Sequence, residues 1–404
     1  MGWLHERRRL FQNKAFFWYA LSCFFVLFAN GLNFLAMSWL MISETNQIHG
    51  MVNIMIGFWL PNLIISPFAG VIVDRYSRRA CLFTSECLRS VCMLVLGAIS
   101  YWAFSPTLIY LIAYIQGALF AFIFPAIIAI IREIVEENDL LLANATIDII
   151  YEVGNIVGIA VCGLLIIFLR AQGALLAGGV CFLIGALCLL KMPYQKKLEV
   201  PPRSLNPKVI GQELGQGLVY MLKKKNILVI YTVQILVMVT YMITPAVVLP
   251  FAKLVLHADS KQFSALTMML SAGVIAGGLS IPSLAERWGL IACLKALLII
   301  MIIGFLIFSV DRSLWHLNII QVVIGFCLAV WPLMMTEAQK HTDFAYQGRV
   351  QGSFNTLSGI MIVIVYTLID VSSRFMAISH LFYLEVAMLA LALVLIYKHQ
   401  DAFQ

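Results

Sequence analysis

Gly70-Val71-Ile72-Val73-Asp74-Arg75-Tyr76-Ser77-Arg78-Arg79 is the segment that decides the fold of this chain. It places one carboxylate and three guanidinium groups between two long apolar runs. Charged groups are costly inside a bilayer, so the segment is predicted to form a turn at a membrane surface. A weaker copy, Pro282-Ser283-Leu284-Ala285-Glu286-Arg287-Trp288-Gly289, follows later in the chain. The repetition predicts two related halves, each with a charged turn after its second span.

The composition fits only a membrane protein. Of the 404 residues, 62% are hydrophobic and 12% are charged, and the mean hydropathy is +0.94. A soluble domain carries about 25% charged residues. The apolar runs are about 20 residues long, the length of a helix that crosses a bilayer. Barrel strands would alternate polar and apolar residues over about 10 positions, and these runs do not. We therefore predict an all-α polytopic membrane protein.

The apolar residues fall into twelve runs, which we number as spans one to twelve. Their approximate limits are 15–42, 52–73, 80–101, 106–131, 143–169, 172–191, 226–252, 262–284, 290–310, 314–336, 346–369 and 375–397.

Orientation follows from the basic residues, because basic loops stay on the cytoplasmic side. With both termini inside, most of the 27 Lys and Arg residues fall on the inner side, and the exceptions are Arg170, Lys253, Lys261, Arg312 and Arg374. We expect a multi-pass protein of the plasma membrane, specifically a bacterial inner membrane, with both termini in the cytoplasm.

A polar segment divides the halves. We predict an N-terminal six-helix half at 1–191, a basic cytoplasmic linker at 192–225 and a C-terminal six-helix half at 226–404. Within the linker, 212–222 is predicted to form a short helix whose lysines face anionic lipid headgroups, although a solvated connector fits the same residues.

With these residues in hand, the chain resembles the major facilitator superfamily. The motif between spans two and three of that family is matched at Asp74, Arg75, Arg78 and Arg79, while Ser77 replaces a glycine. The segment from Gly348 to Asn355, and Asn144-Ala145, are similar to the drug and siderophore exporter branch, which includes macrolide and enterobactin efflux proteins. The resemblance implies two pseudo-symmetric six-helix halves that work by alternating access.

The resemblance also implies a conformational latch on the inner side. The motif aspartate would cap a neighbouring helix, and Arg78 would meet Glu133 or Glu136 just beyond span four. Such bonds would hold one state and break in the other. A basic loop that only sets topology is the alternative. The predicted latch residues are Gly70, Asp74, Arg75, Arg78, Arg79, Glu133, Glu136, Glu286 and Arg287.

Several ionisable residues lie within predicted spans, where such residues are functional candidates. Glu86 and Arg89 are three residues apart and can pair on one helix. Asp148 and Glu152 belong to a polar stripe along span five. Two interpretations stay open for these four residues: proton coupling through Glu152 or Asp148, and static ion pairing that holds spans together. Glu385, in span twelve, has no evident partner and no assigned role.

Polar residues in spans one, four, five, seven and ten are candidates for a substrate cavity. The alternative for the asparagines of span one is amide bonding between helices. The nine cysteines are scattered, and no metal site is expected. The candidate cavity residues are Asn30, Asn33, Gln116, Asn155, Tyr231, Gln234, Tyr241 and Gln321.

The function favoured by the sequence is secondary active export of an amphipathic small molecule, such as a drug or a siderophore, driven by proton entry. Import of a small molecule or siderophore, or transport of a lysophospholipid, is the alternative. A receptor or membrane enzyme is disfavoured, because no nucleophile, base or metal set is clustered. We expect a monomer among membrane lipids that uses the proton gradient, needs no cofactor and binds no nucleic acid.

Overall fold

The computed structural model describes residues 9–136, 139–194, 207–343 and 346–403. Within that part of the chain every regular element is helical, which confirms the predicted all-α fold. The fourteen long helices are α1 Lys14–Thr45, α2 Ile48–Arg75, α3 Arg78–Ser100, α4 Pro106–Phe120, α5 Ile123–Ile134, α6 Leu140–Lys191, α7 Pro207–Lys223, α8 Lys225–Pro250, α9 Ser260–Trp288, α10 Leu290–Val310, α11 Leu314–Leu328, α12 Trp331–His341, α13 Gln347–Ser372 and α14 Phe382–Lys398.

Eleven segments in the described part of the chain are long and apolar enough to cross a membrane. The prediction was twelve spans, and the difference lies in α6. Arg170 has a φ of 58° and a ψ of 176°, so the helix is interrupted there. The parts on either side, 140–169 and 171–191, are each long enough to span a bilayer. The structure therefore contains predicted spans five and six, joined without a loop.

Predicted spans four and ten are each broken near the same sequence signal. A turn at 121–122 separates α4 from α5, shortly before Pro125. A turn at 329–330 separates α11 from α12, directly before Trp331-Pro332. Proline removes a backbone donor and crowds the carbonyl four residues earlier. The two halves of the sequence repeat thus share a bent helix at corresponding positions.

The charged turn of the first half is short. Helix α2 ends at Arg75 and α3 begins at Arg78, and the Ser77 Oγ accepts a hydrogen bond from the Ala80 N–H at 3.4 Å. Serine is therefore a helix cap at the position where the family motif has glycine. In the second half, Gly289 alone separates α9 from α10, with a φ of 84° that favours glycine.

By its contacts the chain divides into two compact units, one of residues 1–45 and 57–206, the other of residues 46–56 and 207–404. In the first unit, α1 packs closely on α6. A Cβ at Gly158 would collide with the Phe28 carbonyl group, and one at Gly154 would lie 3.0 Å from the Phe24 oxygen. These glycines therefore serve close helix packing.

The second unit repeats this packing between α9 and α11. A Cβ at Gly273 or Gly277 would collide with the carbonyl groups of Val322 and Phe326, respectively. Gly278 differs, because among the described residues no atom beyond its own stretch of helix lies within 4 Å of a Cβ there.

Helix α7 extends the helix predicted at 212–222 and packs on α13 within the second unit. A Cβ at Gly217 would collide with Arg349 and Ser353, so the two helices are in close contact. The Ser353 Oγ lies 2.7 Å from the Leu214 carbonyl oxygen.

Candidate functional site

Arg89 is fully buried in the first unit and uses its whole guanidinium group. Its Nε donates to the Gln116 Oε1 at 2.8 Å, and its Nη2 donates to the Asn30 side-chain oxygen. Its Nη1 lies 3.3 Å from the Glu86 Oε1 and 3.4 Å from the Oε2. The Phe182 ring centroid is 4.1 Å from its Cζ, within the range of a cation–π contact. The cluster joins α1, α3, α4 and α6.

The predicted pairing of Glu86 with Arg89 is therefore observed, and two residues predicted for the substrate cavity, Asn30 and Gln116, are the partners of this arginine. Gln116 also donates through its Nε2 to the Arg89 carbonyl oxygen at 3.1 Å. A buried charge is tolerated when it is paired and hydrogen-bonded, and this cluster satisfies both conditions.

A cavity of about 100 Å³ lies beside the cluster, and Glu86 and Asn30 both line it. Pockets that hold drug-sized ligands measure about 300–1,000 Å³, so in this conformation the cavity has room for waters or for one end of a ligand. Its wall is mainly aliphatic and aromatic. The remaining polar lining residues are Tyr19, Ser22, Cys23, Asn144 and Tyr151.

A second buried ion pair lies at the predicted latch. Arg78 pairs with Glu133, and the Tyr194 hydroxyl donates to the same carboxylate. Burial raises the pKa of Tyr194 well above its usual value, and the hydrogen bond to Glu133 adds to this effect. Arg79 donates through its Nη1 to the Met192 carbonyl oxygen at 3.0 Å. The predicted contact of Arg78 is thus with Glu133, and Glu136 is exposed.

Other predicted latch residues are not brought together. Glu286 and Arg287 are exposed at the end of α9, and no ion pair in the described part of the chain involves them. The structure does not describe the side chains of Asp74 and Arg75 or the exposure of Gly70. The function of the motif as a latch stays a prediction.

Two further candidates in the first unit, Asn33 and Asn155, do not line the cavity. Asn33 is buried against Gly178, and neither polar atom of its side chain has a hydrogen-bond partner among the described residues. The backbone carbonyl of Asn155 packs against Gly31, where α1 meets α6. The side chains of Asp148 and Glu152 lie outside the described residues, so coupling through them stays a prediction.

In the second unit, three of the four candidate residues are buried. The Tyr231 hydroxyl oxygen lies 3.4 Å from the Thr342 Oγ1. The Tyr231 ring packs on Phe354 at 5.5 Å between centroids. Gln234 and Gln321 each have a buried side-chain oxygen that no described residue hydrogen-bonds. Tyr241 is partly exposed.

Sequence reasoning missed Tyr194, Phe182 and Thr244, the last of which contacts Glu385 at 2.8 Å. Tyr194 lies in the linker, where it was read only as part of a polar connector. The aromatic residue at 182 is one of 26 phenylalanines, so nothing local marked it.

The described part of the chain contains no group of three or more His, Cys, Asp or Glu side chains placed to hold a metal ion.

Comparisons with known proteins agree with this architecture. The family model described as Major Facilitator Superfamily matches residues 19–366. A search of curated proteins finds no match. Among solved structures, a variant of the nucleoside transporter NupG is similar at a TM-score of 0.76 and 13% identity, covering 96% of this chain and 100% of that one. A bacterial homologue of the iron transporter ferroportin, in an inward-facing state, is similar at a TM-score of 0.72 and 12% identity. The match covers 95% of this chain and 98% of that one.

The family match therefore identifies a polytopic membrane transporter rather than an enzyme. The chain belongs to the Major Facilitator Superfamily. At this level of identity the solved structures show the fold alone.

Proposed function

We propose that this transporter is a proton-coupled exporter of amphipathic small molecules, such as drugs or siderophores, that works by alternating access. The observation that supports this proposal is the cavity beside Glu86, in which a mainly apolar wall meets a few hydroxyl, amide and carboxyl groups. Ligand sites of this composition suit molecules with one apolar and one polar part.

The Glu86–Arg89 pair supports the coupling part of the proposal. Acids within transmembrane segments that face the bundle interior or a cavity commonly carry protons in transporters. Protonation of Glu86 would remove its attraction for Arg89, while the bonds of Arg89 to Gln116 and Asn30 would hold the guanidinium in place. One proton would thus change the charge of the cavity wall without releasing the arginine. Asp148 and Glu152 remain alternative carriers of the coupled proton.

The test uses the purified full-length protein in proteoliposomes under an imposed pH gradient. The probes are ethidium, a macrolide and a catecholate siderophore, with uridine and a lysophospholipid as probes of the other transport classes. The proposal predicts that the gradient drives at least one of the first three probes against its concentration gradient. Movement of uridine or lysophospholipid alone, or movement without any dependence on the pH gradient, would overturn it.

Variants then locate the coupling residue. Glu86→Gln, Asp148→Asn and Glu152→Gln each remove one candidate acid, and Glu44→Gln is the matched control because Glu44 is exposed at the end of α1. We expect Glu86→Gln to abolish gradient-driven accumulation and to keep downhill exchange of the probe. If Glu86→Gln accumulates the probe as well as Glu44→Gln does, the coupling residue is not Glu86.

A further inference from the structure

We propose that Glu385 and Thr244 form a proton-binding site in the second unit, separate from the Glu86–Arg89 pair of the first. The role of this site in transport rests on the proposed proton coupling, but its existence can be tested without any transported substrate.

Glu385 is a buried acid with one polar partner. Its exposure is 0%, and its Oε1 lies 2.8 Å from the Thr244 Oγ1. Its Oε2 is buried and has no hydrogen-bond partner in the described part of the chain. Glu86 and Glu133, two other buried acids, each pair with an arginine. An isolated carboxylate in an apolar interior is far costlier than a neutral acid, so this environment selects the protonated form.

The hydroxyl of Thr244 points to the same protonation state. The Thr244 Oγ1 is also 2.8 Å from the Thr240 carbonyl oxygen, the usual bond of a threonine to the preceding helical turn. A hydroxyl has one hydrogen, so it donates to only one of these two oxygens. When it donates to Thr240, its oxygen can accept only from a protonated Glu385. A neutral acid therefore satisfies both contacts, and a carboxylate satisfies one.

Within the described residues, no charged side chain on the elements packed against Glu385 pairs with it. Lys295 on α10 lies over the Tyr397 ring at 4.0 Å, three turns from Glu385 along α14, and His380 stacks on Tyr383. None of the described ionisable groups forms an ion pair or hydrogen bond with the acid. The titratable or charged side chains on the neighbouring elements are Lys225, Tyr231, Tyr241, Lys253, Cys293, Lys295, His380 and Asp401.

Four buried aromatic rings cluster one helical turn before Glu385. Phe382 packs on Phe251 and Phe308 at 5.2 Å and on Phe305 at 6.4 Å between centroids. The helix that carries Glu385 is thus packed in an apolar environment next to the acid, which disfavours a carboxylate.

Thr244, the other member of the site, lies where the backbone hydrogen bonding of α8 is interrupted. Pro245 directly follows Thr244 and offers no N–H, so α8 lacks one backbone hydrogen bond there. Pro250 is followed by a π-helical segment at Phe251–Val255. Such interruptions are common where helices bend or bind ligands. Movement of α8 at this point would separate Thr244 from Glu385 and let water reach the acid, so proton release is linked to the shape of α8.

Infrared difference spectroscopy of the full-length protein in lipid vesicles tests the site. We expect a C=O stretching band of a protonated carboxylic acid at neutral pH that is lost in Glu385→Gln, retained in Glu44→Gln and shifted in Thr244→Val. Glutamine preserves the bond to Thr244, so this variant should fold. Should it not fold, Glu385→Asp is expected to shift the same band. A spectrum at neutral pH that none of these Glu385 and Thr244 substitutions changes would overturn the site.

Hydrogen exchange of residues 240–256 tests the link to α8. Corrected for the intrinsic rate, protection of this segment should depend on pH in the wild type and in Glu86→Gln, and should lose that dependence in Glu385→Gln. Equal pH dependence in wild type and Glu385→Gln would overturn the link. Because neither measurement involves transport, failure of the proposed export function would leave both results standing, and the two proposals are judged separately.

Discussion

Arg78 and Glu133 form an ion pair that is almost completely buried, with side-chain exposures of 3% and 0%. The Tyr194 hydroxyl donates to the same carboxylate. Three stretches of chain that are distant in sequence therefore meet at one charge: the start of α3, the end of α5 and the segment after α6. In this conformation the motif that decides the fold is also a structural tie within the first unit.

Removing one member of this pair should be strongly destabilising. Glu133→Gln leaves the Arg78 charge buried without its carboxylate, so we expect the free energy of unfolding to fall by about 3–5 kcal/mol. Thermal unfolding in lipid nanodiscs measures the change. Glu136→Gln, at an exposed acid three residues away, is the matched control and should be neutral. A change in Glu133→Gln no larger than in the control would contradict a buried pair.

The glycine contacts predict a position-specific effect of one methyl group. Gly158→Ala places a Cβ against the Phe28 carbonyl, which should lower the free energy of unfolding by about 1–3 kcal/mol. Gly278→Ala adds the same group in open space and should be neutral or stabilising by up to about 1 kcal/mol. The same unfolding assay compares them, and similar losses in both variants would refute the close packing of α1 on α6.

The contact between the end of α7 and the loop before α13 should depend on pH. Lys224 donates to the Asp343 Oδ2 at 2.8 Å and to the Tyr220 hydroxyl oxygen at 2.9 Å. The bond from Lys224 lowers the pKa of Asp343 below 3.8, and the bond to Asp343 raises the pKa of Lys224 above 10.5.

A lowered carboxyl pKa contributes stability above its unfolded value and loses it as the pH falls through the folded value. A raised lysine pKa contributes stability below the unfolded pKa, and this stability is lost as the pH rises through the folded pKa. We therefore expect Asp343→Asn to speed hydrogen exchange in α7 at neutral pH, with a smaller difference at acidic pH and at high salt, because the pair is exposed. A difference that grows on acidification would contradict this assignment.

Much of the fold follows from the sequence because hydropathy and charge act locally. Apolar runs of bilayer length and the segment around Arg78 suffice to predict twelve membrane spans in two repeats. The break at Arg170 without a loop, and the bends before Pro125 and Pro332, depend on backbone geometry. Proline is the sequence signal that lies beside both bends.

The candidate site was less predictable, because its contacts join distant segments. The three-residue spacing of Glu86 and Arg89 predicts their pairing on one helix. Gln116 and Asn30 come from other helices, and only tertiary packing shows that they bind Arg89 rather than line open space. Glu385 had no visible partner in the sequence for the same reason, since Thr244 lies 141 residues earlier in the chain.

Proton movement measured during transport tests the central claim most directly. Wild-type protein is reconstituted in vesicles that contain a pH-sensitive dye, and whichever probe the vesicles accumulate under a pH gradient is then added outside with no gradient imposed. Coupled exchange predicts that entry of the probe drives protons out, so the lumenal pH rises, and that Glu86→Gln abolishes the rise while Glu44→Gln preserves it. Entry of the probe with no change in lumenal pH, or with acidification, would contradict proton-coupled export.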